Sequence, residues 1–140
     1  MFMKMNNMIN NFSVVIPVFN EEEIFLESAD KIFNICQEMN MPFEIIFSEN
    51  GSLDNTKNLI HAFIEDKDNC FTINSNYANY GLALKNGFEI AKNDVVISFD
   101  IDYFSKKFLK QSLELDDNFV ALVASKRLNE SEDERTFIRK

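Results

Sequence analysis

Two aspartates flank a single residue at Asp100-Ile101-Asp102, directly after an apolar run that ends at Phe99. Paired carboxylates are hard oxygen ligands for a divalent cation, and a cation held there can meet a diphosphate that the carboxylates alone would repel. An isolated Asp-x-Asp is usually a solvated turn. Its place at the end of a buried strand is what gives this one chemical meaning. Comparable clusters follow the earlier apolar runs: Pro17-Val18-Phe19-Asn20-Glu21, then Ser48-Glu49-Asn50-Gly51-Ser52, then the amide-rich segment 74–79. The opposite ends of the same runs, at Asn11, Met41-Pro42, Asn69 and Asn93-Asp94, carry no such cluster.

The overall charge narrows the ligand class. Fourteen Lys and Arg stand against 23 Asp and Glu, for a net of -9, the wrong sign for holding a nucleic-acid backbone. A phosphorylated small molecule binding at this acidic rim requires a cation between the two sets of negative charge. Glycine occurs only at 51, 81 and 87, so there is neither a GxGxxG nor a GxxxxGK[ST] after the first strand. Dinucleotide-binding and P-loop designs are thereby excluded. Haloacid-dehalogenase phosphatases also carry an Asp-x-Asp after an apolar strand, but theirs opens the domain and runs on to a Thr, where this chain has Phe104. That reading stays a minor alternative.

Those clusters need elements to position them. Phe12 to Ile16 reads as a strand buried on both faces, and from Glu21 the period becomes helical, with Phe25, Ala29, Ile32, Phe33, Cys36 and Met39 on one stripe. Asn20 and Glu23 have the spacing of a capping box for that helix. Phe43 to Phe47 is a second strand; Ser52 is placed to cap a second helix with Leu59, Ile60, Phe63 and Ile64 inward. Cys70 to Ile73, a helix over Gly81 to Ala91, Asp94 to Phe99, a short helix over Ser105 to Leu115 and a fifth strand over Phe119 to Ala124 complete the pattern. Strands alternating with helices predict an α/β architecture, a doubly wound, mostly parallel, Rossmann-like sheet with helices on both faces. In such sheets ligands bind beyond the carboxyl ends of the strands, where the acidic clusters fall.

Residues 12–128 read as one domain, with a loose N-terminus at 1–11 and a frayed segment at 129–140. The longest apolar runs are far short of the roughly 20 residues of a membrane span, and residues 1–11 lack the apolar segment of a signal peptide. A cytoplasmic protein is expected, acting there or peripherally at a membrane. Cys36 and Cys70 match no metal or redox spacing and read as buried thiols. His61, the single histidine, falls mid-helix and away from the rim.

Taken together, Phe12-Ser13-Val14-Val15-Ile16-Pro17-Val18-Phe19-Asn20-Glu21-Glu22, the stretch Phe43 to Thr56 with its Ser48-Glu49-Asn50-Gly51-Ser52, Asn79-Tyr80-Gly81 through Gly87, and Asp94 to Asp102 resemble family-2 glycosyltransferases of the GT-A fold. The branch most similar in character is that of the dolichol-phosphate sugar transferases, and the resemblance runs from about Phe12 to Arg127. It implies an enzyme that takes a nucleoside-diphosphate sugar with Mg2+ or Mn2+ and transfers the sugar to a lipid phosphate such as a polyprenyl phosphate, or to a saccharide. It further implies that Pro17, Phe19 and Glu21 line the base and ribose, and that Glu49 and Asn50 stand where the family has Asp-Asp, the first of which contacts the base. Asp100 and Asp102 match the metal-binding DXD motif, and through the metal they meet the donor diphosphate. Arg127 matches a basic residue near phosphate in lipid-phosphate-using members. The chain departs from the family in Glu49-Asn50 and in length. The acceptor half with the usual catalytic carboxylate would follow Lys140, so a donor half is expected here, completed by further sequence or by a partner chain, and no general base is identifiable. The alternative is a truncated domain that binds a nucleotide sugar, or a partner, without transferring anything.

Overall fold

The computed structural model describes residues 9–93 and 95–115. The expected fifth strand, Arg127 and the segment 129–140 lie outside the described residues. Within them the chain runs β1 (Phe12–Val18), α1 (Phe25–Gln37), β2 (Phe43–Glu49), α2 (Thr56–Ile64), β3 (Cys70–Asn74), α3 (Tyr80–Ile90), β4 (Val96–Ser98) and α4 (Lys106–Leu113). The strands form one parallel sheet in the order β3-β2-β1-β4.

The alternation of side chains along a strand sorts β1 between two faces. Phe12, Val14, Ile16 and Val18 join Phe25, Ala29, Ile32 and Cys36 of α1 and Ile60 and Phe63 of α2 in one core. The rings of Phe25, Phe47 and Phe63 meet edge to face there, with centroids 5.2 to 6.0 Å apart. On the other face Val15 receives α3, which approaches so closely that a Cβ at Gly87 would lie 2.3 Å from Val15 Cγ1. All seven residues of β1 are buried, and each fully buried Val, Ile or Phe contributes about 1.5 to 3 kcal/mol. Helices therefore cover both faces, as the apolar run implied.

Local caps differ from the sequence expectation. α1 begins at Phe25 after Ile24, with no side-chain cap, and Asn20 instead takes a left-handed conformation at φ 53°. Ser52 does not cap α2, whose N-cap position is Asn55. The caps that form are Asn79 Oδ1, accepting from Leu82 N–H, and Ser105 Oγ, accepting from Phe108 N–H. At the amino ends of the strands the buried Glu44 accepts from Ser13 Oγ at 2.7 Å and from Lys92 N–H at 2.6 Å. This carboxylate ties the α3–β4 link to the foot of the sheet. Cys36 and Cys70 are buried free thiols, pushed up to about 12 chiefly by burial, and they stay protonated and inert. His61 is exposed on α2.

Candidate functional site

The strand order reverses beside β1: β2 and β3 extend to one side, while α3 carries the chain back to place β4 on the other. Such a switch point leaves a crevice at the carboxyl ends of the strands. Here it is a cleft of about 330 Å3, with Pro17, Val18, Phe19 and Glu21 after β1 on one side, Asp100, Ile101 and Asp102 after β4 on the other, and Asn50 and Tyr80 closing it. The structure thus brings together Pro17, Phe19, Glu21, Asn50, Asp100 and Asp102 of the expected set. Arg127 lies outside the described residues. A larger hollow of about 620 Å3 runs along α4 between Tyr103, Lys107, Lys110 and Glu114. It lacks the convergent carboxylates, so the chemistry places the candidate site at the smaller cleft.

The β1 side is made rigid by the neighbouring loop. Asn20 N–H donates to Ser52 Oγ at 3.0 Å while Leu53 N–H donates to Asn20 Oδ1 at 2.8 Å. Glu21 N–H donates to Thr56 Oγ1 at 2.8 Å, Glu22 N–H to Asp54 Oδ2 at 3.2 Å, and Asn55 N–H returns a bond to Glu22 Oε2 at 2.8 Å. Asp54 also accepts from Thr56 N–H at 3.0 Å; desolvation pushes its carboxyl up, but the hydrogen bonds together outweigh it and hold the carboxyl below the usual range. Asn20 and Ser52 thus serve the pairing of two loops and not the helices that follow them.

Glu49 lies beneath the cleft and does not line it. It is 2% exposed and its Oε1 accepts from Ser52 N–H at 2.5 Å, drawing in a turn in which Gly51 has φ 75° and a Cβ would meet the Tyr77 backbone at 2.8 Å. Only glycine fits that approach. Asn50 Oδ1 accepts from Asn79 N–H at 2.7 Å, linking the second rim to the start of α3.

The β4 side carries the charge. Asp100 forms an isolated bridge with Tyr103 and accepts at Oδ1 from Tyr80 Oη at 2.8 Å. Burial first, then the bond to Asp100 and the charges of Asp100 and Asp102, push the Tyr80 phenol up to about 12, so it remains a donor. Glu21 is raised by burial and then by the charges of Asp102, Asp54 and Asp100. Carboxylates from two rims therefore share one field. Tyr80 is the cleft residue to which the sequence reading gave no role; its place on the first turn after the Asn79 cap was the available signal.

Comparison with known proteins adds independent findings. A profile of glycosyl transferase family 2 matches residues 13–140. An undecaprenyl-phosphate 4-deoxy-4-formamido-L-arabinose transferase of Proteus mirabilis (strain HI4320) is 34% identical over 97 residues, covering 67% of this chain and 29% of that protein. A transferase of the same name from Yersinia pestis (strain Pestoides F) is 33% identical over 103 residues, covering 71% of this chain and 31% of its own. The chain thus spans about three tenths of the length of these relatives. Among solved structures, S. aureus TarS superposes with a TM-score of 0.57 at 23% identity over 73% of this chain and 18% of that one. The fold is the expected GT-A, Rossmann-like α/β arrangement. The phosphatase alternative falls with the family match, and the Asp pair follows β4, not an opening strand. Among the described residues no helix is long and apolar enough to cross a membrane.

Proposed function

This chain belongs to glycosyl transferase family 2, and from that premise we propose that it binds a nucleoside-diphosphate sugar across the β1–β4 cleft, with a divalent cation at Asp100 and Asp102, as the donor side of sugar transfer to a lipid phosphate. The observation that carries the reading is the convergence of Asp100, Asp102 and Glu21 at the switch point of the sheet. The names of the relatives support an undecaprenyl-phosphate type of acceptor.

The donor set suits Mg2+ or Mn2+. Among the described residues no group of three or more His, Cys, Asp or Glu forms a ready-made metal cage, and a pair of carboxylates completed by ligand phosphates is how such hard cations are commonly held. Bound there, the cation would neutralise charge growing on the departing diphosphate. Phe19, 39% exposed at the mouth, offers a ring face for a base, and Pro17 gives the adjoining wall. Glu49, the residue assigned to base reading by resemblance, acts by shaping the turn under that wall. Asp100 and Asp102 would meet the diphosphate end through the cation. A lipid phosphate is already anionic and needs no general base.

Calorimetric titration with UDP and GDP, in Mn2+ and then in chelator, tests the reading. Affinity in Mn2+ is expected to exceed that in chelator at least tenfold, or about 1.4 kcal/mol. Equal affinity in the two conditions would remove the cation from the account.

A further inference from the structure

We infer that Tyr80 is a positioning residue that fixes the metal-binding carboxylate of Asp100, its own place being set from the second rim through Asn50 and Asn79. The inference rests on the metal reading above and extends it to a residue outside the acidic motifs.

The geometry forms a continuous relay. Asn50 Oδ1 accepts from Asn79 N–H at 2.7 Å, Asn79 Oδ1 accepts from Leu82 N–H at 2.9 Å, and the helix so started presents Tyr80 as its first residue. Tyr80 Oη then donates across the cleft to Asp100 Oδ1 at 2.8 Å. Asp100 lies two residues beyond β4, where the backbone is held by Phe99 N–H donating to Val15 O at 3.2 Å and Tyr103 N–H donating to Asp100 O at 3.1 Å, and Tyr80 Oη acts on the carboxylate itself. Deletion of the outer hydrogen-bond partner of a metal ligand typically lowers metal affinity about 10- to 100-fold.

Tyr80 is half-exposed, so Tyr80→Phe removes Oη without emptying a core site. In the full chain titrated with UDP or GDP, the Mn2+ concentration giving half-maximal nucleotide binding should rise about tenfold. Nucleotide affinity at saturating Mn2+ should return to the wild-type value, and affinity in chelator should not change. A relay begun at the helix start adds a second expectation: Asn79→Ala shifts the Mn2+ midpoint in the same direction, and Asn79→Asp, which keeps the cap, restores it. An unchanged midpoint in Tyr80→Phe overturns the inference. So does equal weakening in Mn2+ and in chelator, which would make Tyr80 a direct nucleotide contact. Wild type that binds equally in both conditions refutes the metal reading, and the inference with it. Wild type that needs Mn2+ beside an unaffected Tyr80→Phe refutes the inference alone.

Discussion

On one side of the cleft the loops after β1 and β2 grip each other through reciprocal backbone-to-side-chain hydrogen bonds at Asn20, Glu21, Glu22, Ser52, Asp54 and Thr56. On the other, Asp100 and Asp102 extend from a three-residue strand, and Tyr80 and Tyr103 meet the first of them. Apart from Glu21, which lines the cleft, the first side uses its polar groups on itself and has mainly shape to offer. The second directs carboxylates into the crevice and has charge to offer. Similar residue types thus differ in use: Asp102 and Asp54 both raise Glu21, but Asp54 is also drawn below the usual range by its own local hydrogen bonds.

The strongest way to break this contrast is at Asp102. Asp102→Asn should lower Mn2+-dependent nucleotide affinity about a hundredfold, or about 2.7 kcal/mol, and leave the thermal midpoint in chelator unchanged or higher. Asp54→Asn should do the reverse, leaving affinity intact while costing on the order of 0.5 to 1.5 kcal/mol of stability through the bond that Oδ2 accepts from Glu22 N–H. Calorimetry and thermal melts on both variants decide it, and similar binding losses would mean that the two sides are not distinct.

Next in size is the grip between the loops. Asn20→Ala strands the Leu53 N–H and places a Cβ residue without a compensating side-chain bond at φ 53°. The cost should be about 1 to 2 kcal/mol in urea unfolding, with the Mn2+ midpoint unmoved. A stable variant with a shifted Mn2+ midpoint would show that this loop serves the cation side after all.

The smallest effect sharpens the electrostatics. Glu21 has a folded-state value above its unfolded one, so its penalty on the folded state is absent below the unfolded value and grows as pH rises through the folded value. In chelator, Glu21→Gln should raise stability slightly at neutral pH, by less than about 1 kcal/mol after solvent screening, and not at all below about pH 4, as thermal melts will show. An equal gain at both ends of the pH range would assign the effect to packing.

The sheet was legible in sequence because each strand is a short apolar run and each covering helix has its own period, and both signals are local. The rim was legible because the carboxylates directly follow those runs. What escaped was every bond spanning about thirty residues. Asn20 has the spacing of a cap for α1, yet its partners are Ser52 and Leu53; Ser52 in turn meets Asn20 and not its own helix. Glu44 sits in the same apolar run as Ile45 and Ile46, and nothing near it foretells that Ser13 and the Lys92 backbone would satisfy its charge. Pattern reading ranks neighbours along the chain, whereas these side chains were settled by neighbours across the sheet.

The return of the chain to the far side of β1 also has a kinetic consequence. Ser13 pairs with Glu44 early in the chain but with Val96 only after β2, α2, β3 and α3 have been made. Closing the longer loop costs about 0.9 kcal/mol more in chain entropy, and only three residue pairs reward it. Folding should therefore run outward from β1, α1 and β2 and bring β4 in late. On a ribosome, the apolar platform can consolidate before the segment bearing Asp100 and Asp102 has left the exit tunnel. The mutual repulsion of the acidic rim then falls on an already formed scaffold and does not burden the nucleus that builds it.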